Sequence, residues 1–265
     1  MNKRQQFQES KGVSPMSQTT STSRVAVVTG AAHGFGRAIS VGLAERGVDL
    51  VLVDLVDASE TASLVEEQGQ RALKIQADVT NEGDIARVRK EIEVSFGRCD
   101  ILINNAGAYP FKDFFELDYE FWRKIQTLNL DSQFLMTKAV VDLMMKNSWG
   151  RIVNISSNSI GLAFPGLTHY MASKMGVIGF TRGLASDLGP HGITVNAIGP
   201  TATPNGGTFQ HGVDDEVAEA ASQMQAIKRV GTAQDIVGTI QFLVSEDAEF
   251  LTGQTLMVDG GLVRL

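Results

Sequence analysis

Seven short runs rich in β-branched and aliphatic residues, each parted from the next by a helix-length amphipathic stretch, constrain this chain more than any other feature. They occupy residues 25–29, 49–54, 72–76, 101–103, 151–155, 194–197 and 255–258. Strands apolar on both sides need cover on both faces, and parallel neighbours need crossover connections. The pattern therefore predicts an α/β fold: one seven-stranded, doubly wound parallel sheet. The helical stretches begin near Gly34, Ala58, Glu82, Tyr119, Leu130, Tyr170 and Ala233, and glycines at 47, 69, 97 and 189 stand where C-caps belong.

Residues 24–265 read as one catalytic domain. Residues 1–23 carry scattered charges followed by Ser, Thr and Gln, which predicts a disordered tail with Met1 or Met16 as the start. The interval 200–229 holds Gly206, Gly207 and Gly212, then a short helical pattern from Asp215 to Met224, as a substrate lid would. With 23 Lys and Arg against 30 Asp and Glu, the net charge of −7 offers no cationic excess for nucleic acid or anionic lipid. The single cysteine, Cys99, cannot form an intrachain disulfide and fits a reducing cytoplasm. His33, His169, His191 and His211 lack ligand spacing, so no metal is expected.

The first strand ends in Thr29-Gly30-Ala31-Ala32-His33-Gly34-Phe35-Gly36 and runs directly into an apolar helix. Glycines there let the backbone approach a pyrophosphate, whose charge is favoured by helix N-terminal amides. Asp54 ends the second strand eighteen positions after Gly36. An acidic side chain there can accept bonds from ribose hydroxyls and repel a 2′-phosphate. No Arg or Lys precedes Arg37 in the loop or follows Asp54 directly, so the reading is NAD over NADP. The alternative is that Asp54 caps the next helix. Asp78, with Val79 beside it, is either an adenine contact or a turn or cap residue.

Tyr170 and Lys174 stand four residues apart, on one helical face. A phenol titrating near ~10 carries protons poorly at neutral pH, and a neighbouring cation favours its ionised form.

With Asn104-Asn105-Ala106-Gly107 after the fourth strand, Asn129, Ser156-Ser157, and Tyr170 with Lys174, the chain resembles the short-chain dehydrogenase/reductase family from Arg24 to Leu265. Within it, the chain is most similar to secondary-alcohol dehydrogenases of the 1-phenylethanol type. The resemblance implies a Rossmann-type fold and an NAD-dependent enzyme interconverting a hydrophobic secondary alcohol and its ketone. Tyr170 would be the acid/base and Ser157, preferred over Ser156, would polarise the substrate oxygen. Lys174 would lower the Tyr170 pKa and bind the nicotinamide ribose, and Asn129 would hold a relay water. Gly30, His33, Gly34, Phe35, Gly36, Asp54, Asp78, Val79, Asn105, Ala106, Gly107, Pro200 and Thr203 would line the coenzyme together with Tyr170 and Lys174.

The chain departs from the family where its usual Pro-Gly reads Pro200-Thr201, with Thr203 the nearest candidate for the threonine downstream. Tyr109, Phe164, Leu167, Phe209 and Met224 would rim an apolar substrate pocket, and the helices around 130–146 and 170–188 would build a homotetramer. The competing readings are a 3-oxoacyl-thioester reductase preferring NADPH and a non-catalytic dinucleotide-binding sensor or scaffold.

Overall fold

The computed structural model describes residues 23–204 and 215–264. Phe209, His211, the three lid glycines and residues 1–22 of the expected tail lie outside these residues. The strands are β1 (Val25–Thr29), β2 (Asp49–Asp54), β3 (Ala72–Gln76), β4 (Ile101–Asn104), β5 (Gly150–Ile155), β6 (Ile193–Pro200) and β7 (Thr255–Val258). All neighbours pair in parallel, in the order β3-β2-β1-β4-β5-β6-β7. The order reverses between β1 and β4, and the carboxyl ends of these two strands open the crevice where such folds bind ligands.

The helices are α1 (Gly34–Ala44), α2 (Ser59–Glu67), α3 (Glu82–Ser95), α4 (Tyr119–Gln126), α5 (Ser132–Met145), α6 (Thr168–Leu188), α7 (Asp215–Met224) and α8 (Val237–Leu243). On one face of the sheet, Ile39 and Leu43 of α1 and Ile240 and Leu243 of α8 pack with Val28, Ile103 and Ile198. On the other, Val88 and Ile92 of α3, Val140 and Leu143 of α5 and Leu188 of α6 pack with Val27, Leu102 and Val195. The central strands are buried throughout, whereas the edge strands β3 and β7 are only partly covered. Among the described residues no helix is long and apolar enough to cross a membrane.

Local detail refines the expected elements. The helix expected near Leu130 is α5, which starts at Ser132, and α4 runs into it through one π-helical turn, Thr127–Asp131. The stretch from Ala233 opens as a 3-10 turn held by a capping box between Thr232 and Asp235, and α8 follows. Gly189 is the C-cap of α6, as its place in the sequence predicts, with a right-handed backbone. The chain reverses at Gly192, where φ is +73° and a Cβ would sit 2.2 Å from the Ser148 carbonyl oxygen.

Candidate active site

The crevice is closed at its base by contacts between the ends of β1 and β4. Thr29 Oγ1 accepts the backbone N–H groups of Asn105 and Ala106, both at 3.0 Å. Asn105 Nδ2 donates to the carbonyls of Thr29 at 2.9 Å and Gly30 at 3.0 Å. A Cβ on Gly36 would lie 1.9 Å from the Gly30 carbonyl oxygen, so only glycine allows the loop to fold back onto α1. His33 occupies the N-cap of α1 with no side-chain cap bond, and no acidic residue stands in the first turn. The helix thus presents its N-terminal amides to the crevice without a side-chain acceptor of its own.

Asp54 does not cap α2, which begins behind Ala58 without any side-chain cap. Its carboxylate turns back instead, accepting from Ala32 N at 2.8 Å and Val56 N at 3.1 Å. Arg37 donates to the Ala32 carbonyl at 2.7 Å and grips Glu60 with two bonds of 2.6 and 2.8 Å, so a carboxylate already matches its charge. Asp78 is a turn residue, accepting from Thr80 N at 2.8 Å and Thr80 Oγ1 at 2.7 Å. The cap of α3 is Asn81, and Val79 is buried beside the turn.

The pair on α6 is buried, Tyr170 at 9% and Lys174 at 4% exposure. Ser156 spends its hydroxyl on the Lys174 carbonyl at 3.0 Å. Ser157 Oγ accepts the Ser159 amide at 3.1 Å and lies on the Tyr170 side, where it acts on the phenol. Lys174 Nζ donates to the Ile155 carbonyl at 2.8 Å and lies 5.7 Å from the centre of the Tyr170 ring. Burial pushes the Tyr170 phenol up to about 12, against the opposing pull of the Ser157 hydroxyl, with Tyr109 adding to the rise. Burial likewise pushes Lys174 down to about 8. Desolvation is the largest cause at both groups.

Asn129, in the π turn, is fully buried. Its Oδ1 accepts Ala108 N at 2.9 Å, and its Nδ2 donates to Ala108 O at 2.8 Å and Ser173 Oγ at 3.1 Å. The side-chain amide is thus spent on protein groups. Gly107 fits tightly here, since a Cβ would come within 2.9 Å of Asn129 Oδ1 and 3.5 Å of Lys174 Nζ.

Two supporting residues escaped the sequence reading. Ser173 Oγ bridges Asn129 and the Tyr170 carbonyl, the latter at 2.6 Å. Gln126 Nε2 holds the His169 carbonyl at 2.7 Å. Ser173 was visible between Tyr170 and Lys174, whereas Gln126 carries no local signal.

Of the expected substrate residues, Tyr109 meets the chemistry directly, edge-on to Tyr170 with ring centres 6.1 Å apart. Leu167 is buried at the start of α6, while Phe164 and Met224 are 43% and 59% exposed on separate segments. A hollow of about 520 Å³ lined by Phe111, Lys112, Asp113, Glu116, Pro165 and Gly166 contains none of these residues and neither Ser157 nor Tyr170. Pro200 ends β6 opposite Val258, and the buried Thr203 hydroxyl donates to the Thr201 carbonyl at 3.1 Å.

A family model described as enoyl-(acyl carrier protein) reductase matches residues 30–263. A 3-oxoacyl-(acyl-carrier-protein) reductase of Synechocystis sp. is 38% identical over 250 residues, covering 92% of this chain and 99% of that protein. A (2S)-((R)-hydroxy(phenyl)methyl)succinyl-CoA dehydrogenase subunit of Thauera aromatica is 38% identical over 245 residues, covering 90% and 96%. The crystal structure of an NAD+-bound xylitol dehydrogenase superimposes with a TM-score of 0.83 at 30% identity, over 90% of this chain and 98% of that one.

Proposed function

The chain belongs to the short-chain dehydrogenase/reductase family, and from that premise we propose that it is an NAD-dependent oxidoreductase interconverting a hydrophobic secondary alcohol and its ketone. The observation that carries the reading is the grouping of Ser157, Tyr170 and Lys174, the last two buried on α6 with Lys174 Nζ 5.7 Å from the Tyr170 ring centre. The crevice fits a dinucleotide: Gly36 keeps the loop open to backbone approach, and the uncapped amides of α1 suit a pyrophosphate. Asp54, turned onto the loop, stands where ribose hydroxyls would meet it, with Asp78 and Val79 on the adenine side. When bound, the nicotinamide supplies or accepts the hydride.

The protein's own residues handle the proton. Ser157 Oγ, already accepting the Ser159 amide, directs its hydrogen to the substrate oxygen. Tyr170, neutral at physiological pH because burial pushes it up to about 12, donates its proton to that oxygen as a ketone is reduced. Lys174 holds the ribose and a positive charge beside the ring, and Asn129 holds the water through which the proton is replaced.

Tyr109 packed on Tyr170, with Leu167 buried behind, supports an apolar substrate. So does the Thauera relative, whose name specifies a hydroxy(phenyl)methyl group. A second reading, a 3-oxoacyl-thioester reductase using NADPH, is favoured by the Synechocystis relative at the same identity. Exposed Phe134 on α5 and Met175 on α6 support assembly into a homotetramer, which a measured mass in solution tests. The reading includes a cytoplasmic location.

The deciding experiment compares kcat/KM for acetophenone, a polyhydroxylated ketone and a 3-oxoacyl thioester, each with NADH and NADPH. Burial of an aryl group at roughly 25 cal/mol per Å² predicts that acetophenone with NADH is best. Preference for the thioester with NADPH establishes the second reading, and preference for the polyol removes the apolar one.

A further inference from the structure

Thr201 directly follows Pro200 at the end of β6, and its hydroxyl has a specific partner. Thr201 Oγ1 lies 3.2 Å from Gln225 Oε1, and both residues are buried, at 9% and 3% exposure. Gln225 follows the end of α7, and its Nε2 donates to the carbonyls of Ile227 at 3.0 Å and Arg229 at 2.8 Å. With both amide hydrogens committed, Gln225 can offer Thr201 only an acceptor, so the Thr201 hydroxyl is the donor.

The bond joins segments that no sheet or helix holds together. Residues 225–231 wrap the outside of 201–203, and a Cβ on Gly231 would come within 2.8 Å of Thr201 Cγ2 and 3.3 Å of Thr203 Oγ1. On the other side, the Gly260 carbonyl accepts Ile227 N at 2.9 Å, and a Cβ on Gly260 would meet Gln225 Nε2 at 2.8 Å. The adjoining Asp259 carboxylate accepts the amides of Gly261, Leu262 and Val263 at 3.0, 3.2 and 2.8 Å, and Asn158 Nδ2 at 3.4 Å. Asn158 directly follows Ser157. Gln225 therefore sits at the junction of the stretch that ends β6, the exit of α7 and a C-terminal turn that reaches the catalytic serine.

We propose that Thr201 and Gln225 form a latch that holds residues 200–203 in place for the coenzyme, making both positioning residues for coenzyme binding. The inference rests on the reading of Pro200 and Thr203 as coenzyme contacts. A serine at 201 keeps the latch, because it keeps the donor. A valine keeps the shape and the methyl group against Gly231 but breaks it, leaving Gln225 Oε1 buried and unpaired.

The test uses the full-length chain with Thr201→Ser and Thr201→Val, measuring the Kd for NADH by fluorescence titration together with KM for NADH and kcat. For Thr201→Val, Kd and KM rise about tenfold, as loss of one buried hydrogen bond should cause. Its kcat stays within about threefold, because the groups that act on the reacting atoms are untouched. Thr201→Ser stays near wild type. A role in packing alone gives the opposite order, with valine normal and serine impaired, and overturns the latch. Equal affinities for all three proteins also overturn it. A wild-type protein that binds no NADH is a different failure: it removes the coenzyme reading itself, and the latch with it.

Discussion

Asn129 and Ala108 exchange two hydrogen bonds, 2.9 Å from the Ala108 amide to Oδ1 and 2.8 Å from Nδ2 to the Ala108 carbonyl. A side-chain amide here does the work of a neighbouring strand, holding the loop that carries Gly107 and Tyr109 against α6. Asn129→Ala leaves both backbone groups buried without partners and should cost about 2–5 kcal/mol in urea unfolding. Asn129→Asp keeps the acceptor and should fall between. A loss below about 1 kcal/mol for the alanine variant would show that the loop is held by other contacts.

Tyr170→Phe should retain coenzyme affinity while turnover falls at least ~10²-fold, as removal of a positioned acid/base does. The ring stays edge-on to Tyr109, so substrate KM should move little. Near-normal turnover would take Tyr170 out of the mechanism.

Lys174 gives stability a pH dependence of known sign. Burial holds it near about 8, against 10.5 for the free side chain. Between those values the unfolded chain binds more protons, so this residue's contribution to stability rises with pH. Tyr170, held at about 12 against 10.0, acts with the opposite sign above pH 10, and the buried Cys99 thiol, pushed up from 9.0, does so above pH 9. The difference between wild type and Lys174→Met cancels those two groups. That difference should shift in favour of wild type by about 2 kcal/mol from pH ~8 to ~10. A difference independent of pH would mean that Lys174 is solvated in the folded protein.

Asp54→Ala removes the acceptor for Ala32 N and Val56 N and, on the proposed reading, the partner of the ribose hydroxyls. It should weaken NADH and narrow the gap to NADPH, since repulsion of a 2′-phosphate is lost with the carboxylate. Arg37 stays neutralised by Glu60, so a full reversal of preference is not expected. Unchanged relative kcat/KM for the two coenzymes would leave Asp54 with only its role in holding the glycine loop.

The seven strands, the glycine loop and the i, i+4 pair Tyr170 and Lys174 were legible because each is a local demand. Strand and helix periodicity, a turn that only glycine can make, and the pitch of a helix all act over a few residues. The same locality hides the π turn at 127–131, because the apolar pattern of α5 begins before its geometry does.

By itself, then, the sequence determined the α/β fold, the glycine loop after β1, and the set of residues that could serve it, while the sheet order placed the crevice between β1 and β4. Tertiary structure decided what each of those residues touches. Ser157 rather than Ser156 faces Tyr170 because Ser156 is taken by α6. Asp54 turns onto the glycine loop instead of capping α2, and Asn129 binds Ala108 with its side chain. Thr201 meets Gln225 across 24 positions of chain, and Asn158 meets Asp259 across 101. A hydroxyl or carboxylate pairs with whatever the fold brings beside it, and a pKa follows the water that the fold removes, so neither can be read from neighbours in the chain.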